Sequence, residues 1–523
     1  MFVTLFLSAL CVSTTDALAT RAPPGAQIGT STGSVQGKAS SWKSGVSEYL
    51  GIPYAQPPVG ELRWAAPKPA KLFNGLINAT TFVRIVSSST QLLQTFPRID
   101  VFSSCAESAS RLNKNNPNAP QNTGAAENEQ REDCLTLNIW TKPQTGEAKK
   151  AVLIWIHGGA FLVGSSANQP YNGALLAEEN DVVVASLNYR LSALGFPGVG
   201  LPDKNLGLLD MRLAIEWLRD NVEKFGGDAK RMTLFGQSAG GGAVDYYSYA
   251  YTKDPILAGL IPMSGTAGAA PGASNVGNTA SAVNNWSTLS VKLGCGRVTA
   301  ADVGKTLGCM RSKSTEEVMQ ATLPKDSREA RIWQPDYDGK TLFADTAARR
   351  ARGDFIQVPV LVGNVDNELA TQGGVPGSED NKVQNCPSDV TANYRRKAGV
   401  PVWRYLYSGQ FPDQNLGPAF AGVQGAWHGA ELAELFGTTE LKNRRTGEKS
   451  TANELVLAAK LREVWSAFAK DPVHGLDKLG WPQYDNTKPT VAVLGGNDNA
   501  DITFESPVTL DSQCALMEAL GSI

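Results

Sequence analysis

Histidine is scarce in this chain of 523 residues: only His157, His428 and His474 occur. No C-x-x-C pair accompanies them, so the spacing expected of a zinc or iron–sulfur site is missing and no metal is expected. Charge is sparse as well, at 19% of residues, below the quarter common in soluble domains. The 48 basic and 50 acidic side chains nearly cancel, leaving a formal charge of -2. That balance excludes a nucleic-acid surface as the main partner, because phosphate recognition needs concentrated positive charge. No stretch reaches 18 uninterrupted apolar residues, so no membrane-spanning helix or stable membrane anchor is expected. Repeats and long charged or Gly/Ser linkers are also missing, which leaves a globular chain without an obvious internal boundary.

The amino-terminal end carries a different signal. Phe2–Val12 is apolar but too short to span a bilayer, and it leads through a polar stretch to Ala17-Leu18-Ala19. An apolar core followed by a small-x-small pattern predicts a signal peptide over 1–19 and a secreted protein. Cysteine usage agrees: removing Cys11 leaves Cys105, Cys134, Cys295, Cys309, Cys386 and Cys514. Six cysteines in an oxidising compartment suit three disulfides, although 15 connectivities exist. Two acceptor tripeptides, Asn78-Ala-Thr80 and Asn285-Trp-Ser287, predict surface glycosylation in such a protein.

The middle of the chain alternates strand and helix patterns. Continuous apolar runs at 151–156, 181–187, 231–235, 358–363 and 400–407 read as buried strands. The segment 209–225 reads as a helix with Met211, Ile215, Leu218 and Val222 on one face, and 453–469 as another, with Leu457, Leu461, Trp465 and Phe468 in register. Strand–helix alternation predicts an α/β fold with a mostly parallel central sheet flanked by helices. Ligands in such sheets bind outside the carboxyl ends of the strands. One domain over 20–523 is the simplest organisation. The polar run 113–130 reads as an exposed loop, and 83–104 has no clean periodicity.

Two motifs carry chemistry. Gly236-Gln237-Ser238-Ala239-Gly240 follows the strand 231–235 directly and leads into a helical stretch. A serine on a sharp strand–turn–helix bend has its hydroxyl exposed, and only glycines tolerate the crowding around such a bend. Upstream, His157-Gly158-Gly159-Ala160-Phe161 follows the strand 151–156. Adjacent glycines there allow backbone N–H groups to approach a developing oxyanion.

The stretch Phe225–Gly240 (FGGDAKRMTLFGQSAG) resembles the serine signature of the type-B carboxylesterase/lipase family, which includes the cholinesterases and fungal lipases. Residues 49–67 (YLGIPYAQPPVGELRWAAP), 132–140 (EDCLTLNIW), 188–196 (NYRLSALGF) and 205–217 (NLGLLDMRLAIEW) are similar to the same family, and the tail half looks most like secreted fungal members. The resemblance implies an α/β-hydrolase fold and hydrolysis of small-molecule carboxylic esters without a cofactor. It implies Ser238 as nucleophile, His428 in GAWHGAEL as base and Glu368 in VGNVDNEL as the acid, with Asp366 as a nearby rival. It implies oxyanion donors at the N–H groups of Gly159, Ala160 and Ala239, Ala160 standing where many relatives have glycine. It also implies the disulfides Cys105–Cys134, Cys295–Cys309 and Cys386–Cys514. Two departures stand out: the insertion 83–104, and the 59 residues between Glu368 and His428, fewer than usual in that family. Gln237 stands where cholinesterases carry Glu, which disfavours a cationic substrate. Two other readings are an esterase or acyltransferase acting on a secondary metabolite, and a non-catalytic binding module, against which the intact Ser238, Glu368 and His428 count. The oligomeric state is not legible.

Overall fold

The computed structural model describes residues 22–82, 132–142, 145–198, 201–267, 279–299, 301–322, 333–370, 374–376, 378–414, 422, 424–441 and 447–519. The expected signal peptide, the segments 83–104 and 113–130, and Cys105 lie outside these residues.

Each apolar run of the middle chain forms a strand. The relevant ones are β6 (Thr136–Thr141), β7 (Lys150–Ile156), β8 (Val183–Leu187), β9 (Gly227–Gln237), β10 (Gly259–Met263), β11 (Val360–Val365), β12 (Val402–Tyr407) and β13 (Val491–Leu494). They belong to an 11-stranded sheet ordered β14-β13-β12-β11-β10-β9-β7-β8-β6-β4-β3, with β3 (Lys38–Ala39), β4 (Ser47–Pro53) and β14 (Thr503–Glu505) at its margins. The seven strands from β8 to β13 in that order pair in parallel, and the outer pairs are antiparallel. Parallel strands covered on both faces need apolar side chains on both sides. β7 meets that demand by alternation: Val152, Ile154 and Ile156 enter one core, while Ala151, Leu153 and Trp155 enter the other.

Helices close both cores. The helix Leu206–Asn221 sends Met211, Ile215 and Leu218 into the first. The helix Ala452–Lys470 sends Leu457, Leu461, Trp465 and Phe468 into the second, and a capping box between Thr451 and Glu454 fixes its start. Each such fully buried side chain contributes about 1.5–3 kcal/mol of transfer free energy. The observed helix over 206–221 begins and ends earlier than the apolar face suggested; Val222–Phe225 continues it as a tighter 3-10 turn. The short stretch between Glu368 and His428 still holds a helix, Glu379–Lys397.

Arg190 and Asp210 come from two of the stretches that resemble the esterase family. They form a buried two-pronged ion pair, Nη2–Oδ1 2.7 Å and Nε–Oδ2 2.8 Å, reinforced by the Arg190 backbone N–H donating to Oδ2. Cys295 is bonded to Cys309, closing a short loop, and Cys386 to Cys514, tying the tail to the helix Glu379–Lys397. The third expected pair, Cys105–Cys134, has one member, Cys105, outside the described residues; the other, Cys134, carries no disulfide among the described residues and is 3% exposed. It packs in the apolar core beside Leu135 and Leu137, where a small hydrophobe is at home without a covalent partner.

Candidate active site

The strand order reverses at β7, which pairs with β8 on one side and β9 on the other. A doubly wound sheet opens a crevice at the carboxyl ends of strands flanking such a reversal. β7 ends at Ile156 and β9 at Gln237, so His157–Phe161 and Ser238 leave the sheet side by side at this crevice.

Ser238 joins β9 to the helix Ala239–Ala250 and holds φ 60° and ψ -125°. A serine in that region is strained, by roughly 1–3 kcal/mol. The surrounding packing enforces it. A Cβ on Gly240 would lie 2.1 Å from the Ile156 carbonyl oxygen, and one on Gly265 2.1 Å from that of Ser238. The Ser238 N–H is taken by the Met263 carbonyl at 2.9 Å, which leaves the side chain as the part of this residue facing the crevice.

Across from it, Gly159 (φ 117°), Ala160 (φ 55°) and Phe161 (φ 58°) form a tight turn. The glycine at 158 is required because a Cβ there would come within 2.9 Å of Ser238 Cβ. The N–H groups of Gly159 and Ala160 meet no acceptor among the described residues. The Ala239 N–H opens a helix, where donors have no intrahelical acceptor. His157, by contrast, is fully buried and stacked on Tyr189 at 4.5 Å. Burial pulls its pKa down to about 4, so it is neutral, and its Nδ1–H donates to the Gly158 carbonyl at 2.9 Å.

Glu368 and His428 are brought together by two loops zipped side by side. Asn367 bridges to Trp427, and the Ala426 N–H donates to Asp366 Oδ1 at 2.7 Å. Nδ1 of His428 hydrogen-bonds Glu368 Oε2, whose other oxygen accepts the Val365 N–H at 3.1 Å. Burial disfavours the charged imidazole of His428, but the Glu368 carboxylate outweighs it and raises the pKa, with Glu431 adding to the effect. Asp366 does not touch His428; it braces the loop that carries it, and burial pushes its carboxyl up to about 6.

No hydrogen bond joins Ser238 to His428 among the described residues. Nε2 of His428 stands instead 3.1 Å from Nε2 of Gln237. With Nδ1–H given to Glu368, the imidazole Nε2 is an acceptor and the Gln237 amide is its donor. The arrangement therefore offers a serine hydroxyl, an imidazole poised by a carboxylate and two or three unpaired N–H groups within one crevice. Such a set suits acyl transfer.

A model of the carboxylesterase family matches residues 24–374. The chain belongs to the carboxylesterase family. It is 32% identical to a chlorogenic acid esterase from Aspergillus niger, over 92% of this chain and 89% of that protein. Secreted lipase 5 of Gibberella zeae is 31% identical over 89% of both chains. Among solved structures, a PNB esterase superposes with a TM-score of 0.73 at 24% identity, covering 94% of this chain and 99% of that one. The fold is thus the α/β-hydrolase fold, and the protein is a carboxylic ester hydrolase.

As a carboxylesterase, the chain places Ser238, Glu368 and His428 at one crevice, with Gly159, Ala160 and Ala239 around Ser238. Among the described residues no cluster of His, Cys, Asp and Glu suits a metal ion, and no helix is long and apolar enough to cross a membrane. Asn78 lies exposed on β5 (Phe73–Asn78), with the Thr80 hydroxyl on its side-chain oxygen at 2.7 Å. Asn285 sits on the helix Thr279–Lys292, and its partner Ser287 is buried, accepting the Val298 N–H. Three residues escaped sequence reasoning. Gln237 figures in the sequence only as the neutral residue where cholinesterases carry Glu, which gives no hint of its contact with His428. Glu431, three residues after His428, is 1% exposed with neither carboxyl oxygen hydrogen-bonded. Gln334 reaches the Ala160 carbonyl at 2.7 Å. Gln237 and Glu431 had a signal in their places within the motifs that hold Ser238 and His428; Gln334 had none.

Proposed function

We propose that this carboxylesterase works as a secreted, single-domain serine hydrolase through Ser238, His428 and Glu368. The observation that carries the reading is the His428–Glu368 hydrogen bond beside a serine on a strained elbow. His428 takes the proton of Ser238 Oγ as that oxygen attacks the ester carbonyl; Glu368 supports the imidazolium. The Gly159, Ala160 and Ala239 N–H groups receive the oxyanion, each donor contributing about 3–4 kcal/mol at the transition state. The alcohol leaves with the proton from His428, giving an acyl-enzyme. Water, activated by the same imidazole, then releases the acid.

The substrate class is a small-molecule carboxylic ester. The named relatives include an esterase of chlorogenic acid and a lipase, and the carboxylic ester is the chemistry they share. Secretion is supported by the amino-terminal apolar segment, by the two disulfides and by the relative named as a secreted lipase. Exposed Asn78 is the better placed glycan acceptor of the two. The test is a fluorophosphonate probe with peptide mapping. An adduct on Ser238 that Ser238→Ala abolishes is expected; a folded wild-type protein that takes no adduct overturns the mechanism.

A further inference from the structure

The turn that offers its N–H groups to the crevice has every carbonyl tied back. Gly158 O accepts from His157 Nδ1 at 2.9 Å, and Gly159 O from the Leu162 and Val163 N–H groups at 3.0 Å. Phe161 O accepts from the Ser192 N–H at 2.8 Å. Ala160 O accepts from Gln334 Nε2 at 2.7 Å. Two of these four carbonyls are held from within the turn or the residue beside it and a third by the backbone of Ser192; the fourth is held by one side chain, 174 residues away in sequence.

Ala160 is also where the anchor has most to do. A non-glycine residue in the left-handed region costs roughly 1–2 kcal/mol and persists only when its surroundings hold it. Ala160 and Phe161 both occupy that region, in succession. The Ala160 carbonyl shares its rigid peptide plane with the Phe161 N–H, and the Ala160 N–H lies in the preceding plane with the Gly159 carbonyl. With that carbonyl held by Leu162 and Val163, the Gln334 bond fixes the second plane and so sets ψ at Ala160. The two anchored planes together hold the left-handed conformation of Ala160 that keeps its N–H toward the crevice.

Gln334 is itself rigidly mounted. Trp333 before it is 4% exposed, and Asp336 after it is 5% exposed. Asn205 clamps Asp336 by two hydrogen bonds, donating to its carbonyl at 2.7 Å and accepting its N–H at 2.8 Å. Lys204 adds an ion pair to the Asp336 carboxylate at 3.1 Å. The segment therefore belongs to the body of the protein, and its half-buried glutamine projects to the turn.

We infer that Gln334 is a positioning residue for the oxyanion hole, holding Ala160 so that its N–H meets the tetrahedral oxygen. This rests on the serine-hydrolase reading above. The hole is used only when the carbonyl has become an oxyanion, so loss of the anchor lowers kcat and leaves KM nearly alone.

The test compares wild type with Gln334→Leu, Gln334→Glu and Gln334→Lys. Leucine keeps the bulk without a donor, glutamate keeps the shape without a donor, and lysine restores an N–H of sufficient reach. Rates on a p-nitrophenyl ester and Ki for a trifluoromethyl ketone, which forms an oxyanion on the serine, are the readouts. Losing a direct hole donor costs about 10²–10³-fold, and an indirect anchor a fraction of that. Leu and Glu variants are expected to lose about 10-fold in kcat, with KM changed less than about 2-fold and the ketone Ki raised by the same factor as kcat falls. The Lys variant is expected to recover most of the loss. If Gln334→Leu does not fold, Gln334→Glu carries the same comparison. Wild-type kcat and ketone Ki in the donorless variants overturn the inference, as does a Lys variant no better than Leu. A wild-type protein that takes neither probe nor ketone overturns the serine-hydrolase reading, and this inference with it.

Discussion

The Gln237 side-chain amide stands 3.1 Å from Nε2 of His428, on the nitrogen that must accept the Ser238 proton. Its N–H stabilises the neutral imidazole, whereas Glu368 on the other nitrogen favours the imidazolium and raises the pKa. The base works only when neutral, so wild-type kcat/KM falls as pH drops through a midpoint above the usual imidazole value of about 6.5. Gln237→Glu puts a carboxylate where the amide stands and tips the balance further. The acid limb is expected to move up by about 1–2 pH units, with kcat/KM at pH 7 reduced about 10-fold for a neutral ester. A pH–rate profile superimposable on wild type would show that residue 237 does not face the imidazole in solution.

Two carboxylates of the loop paired with that of His428, Asp366 and Glu368, are rivals for the acid by sequence, and the geometry separates their roles. Glu368 bonds the imidazole; Asp366 accepts the Ala426 N–H at 2.7 Å and braces the loop. Glu368→Gln removes the charge that supports the imidazolium and is expected to lower kcat by about 10³–10⁴-fold with the fold intact. Asp366→Asn keeps an oxygen for the Ala426 N–H and is expected to retain kcat within about 10-fold. Steady-state kinetics of the pair decides; reversed magnitudes would make Asp366 the acid.

The parts legible in the sequence are those where geometry admits few residues. The elbow demands glycine at 236 and 240, because any Cβ there meets backbone within 3 Å, so its pattern survives as a motif. Strands β7, β8, β11 and β12 are mainly apolar, each with a single polar or charged interruption (Lys150, Ser186, Asn364 and Arg404), and stand out by composition. β10 did not: it is five residues long with Pro262 inside it, and proline normally argues against a central strand. The helix Glu379–Lys397 contains Pro387 and is mostly polar, so neither periodicity nor helix propensity marks it. Contacts between distant side chains leave no local trace. Gln237 and His428 are 191 residues apart, and Gln334 and Ala160 174; only folding brings them together. The Arg190–Asp210 pair lay inside two recognisable stretches, yet its role as a buried ion pair is visible only in three dimensions.

Cys134 gives a direct check on the packing of β6. Its thiol is buried, and desolvation pushes its pKa far above the usual range, with Asp210 contributing. A buried thiol kept protonated is inert, since the thiolate is the nucleophile. Under native conditions iodoacetamide is expected to leave Cys134 unmodified, whereas denaturant makes it fully reactive. Peptide mapping under non-reducing conditions reads this out, and a Cys105–Cys134 crosslinked peptide would restore the disulfide and overturn the free-thiol arrangement.

Glu431 makes stability depend on pH in a definite direction. Burial pushes its carboxyl up to about 8, with Glu368 adding to the rise. In the unfolded chain the same group titrates in the ordinary carboxylate range, so between the two values the unfolded state binds fewer protons than the native one. The contribution of Glu431 is therefore complete below about pH 4.3 and is lost as pH rises through about 8, at roughly 1.4 kcal/mol per pH unit within that window. Glu431→Gln cannot ionise and is expected to flatten this decline. Thermal unfolding of both proteins at pH 5, 6, 7 and 8 measures it. Wild type should lose ground to the variant steadily across the series, and parallel curves would mean that Glu431 is already ionised in the native protein, with its charge compensated inside the fold.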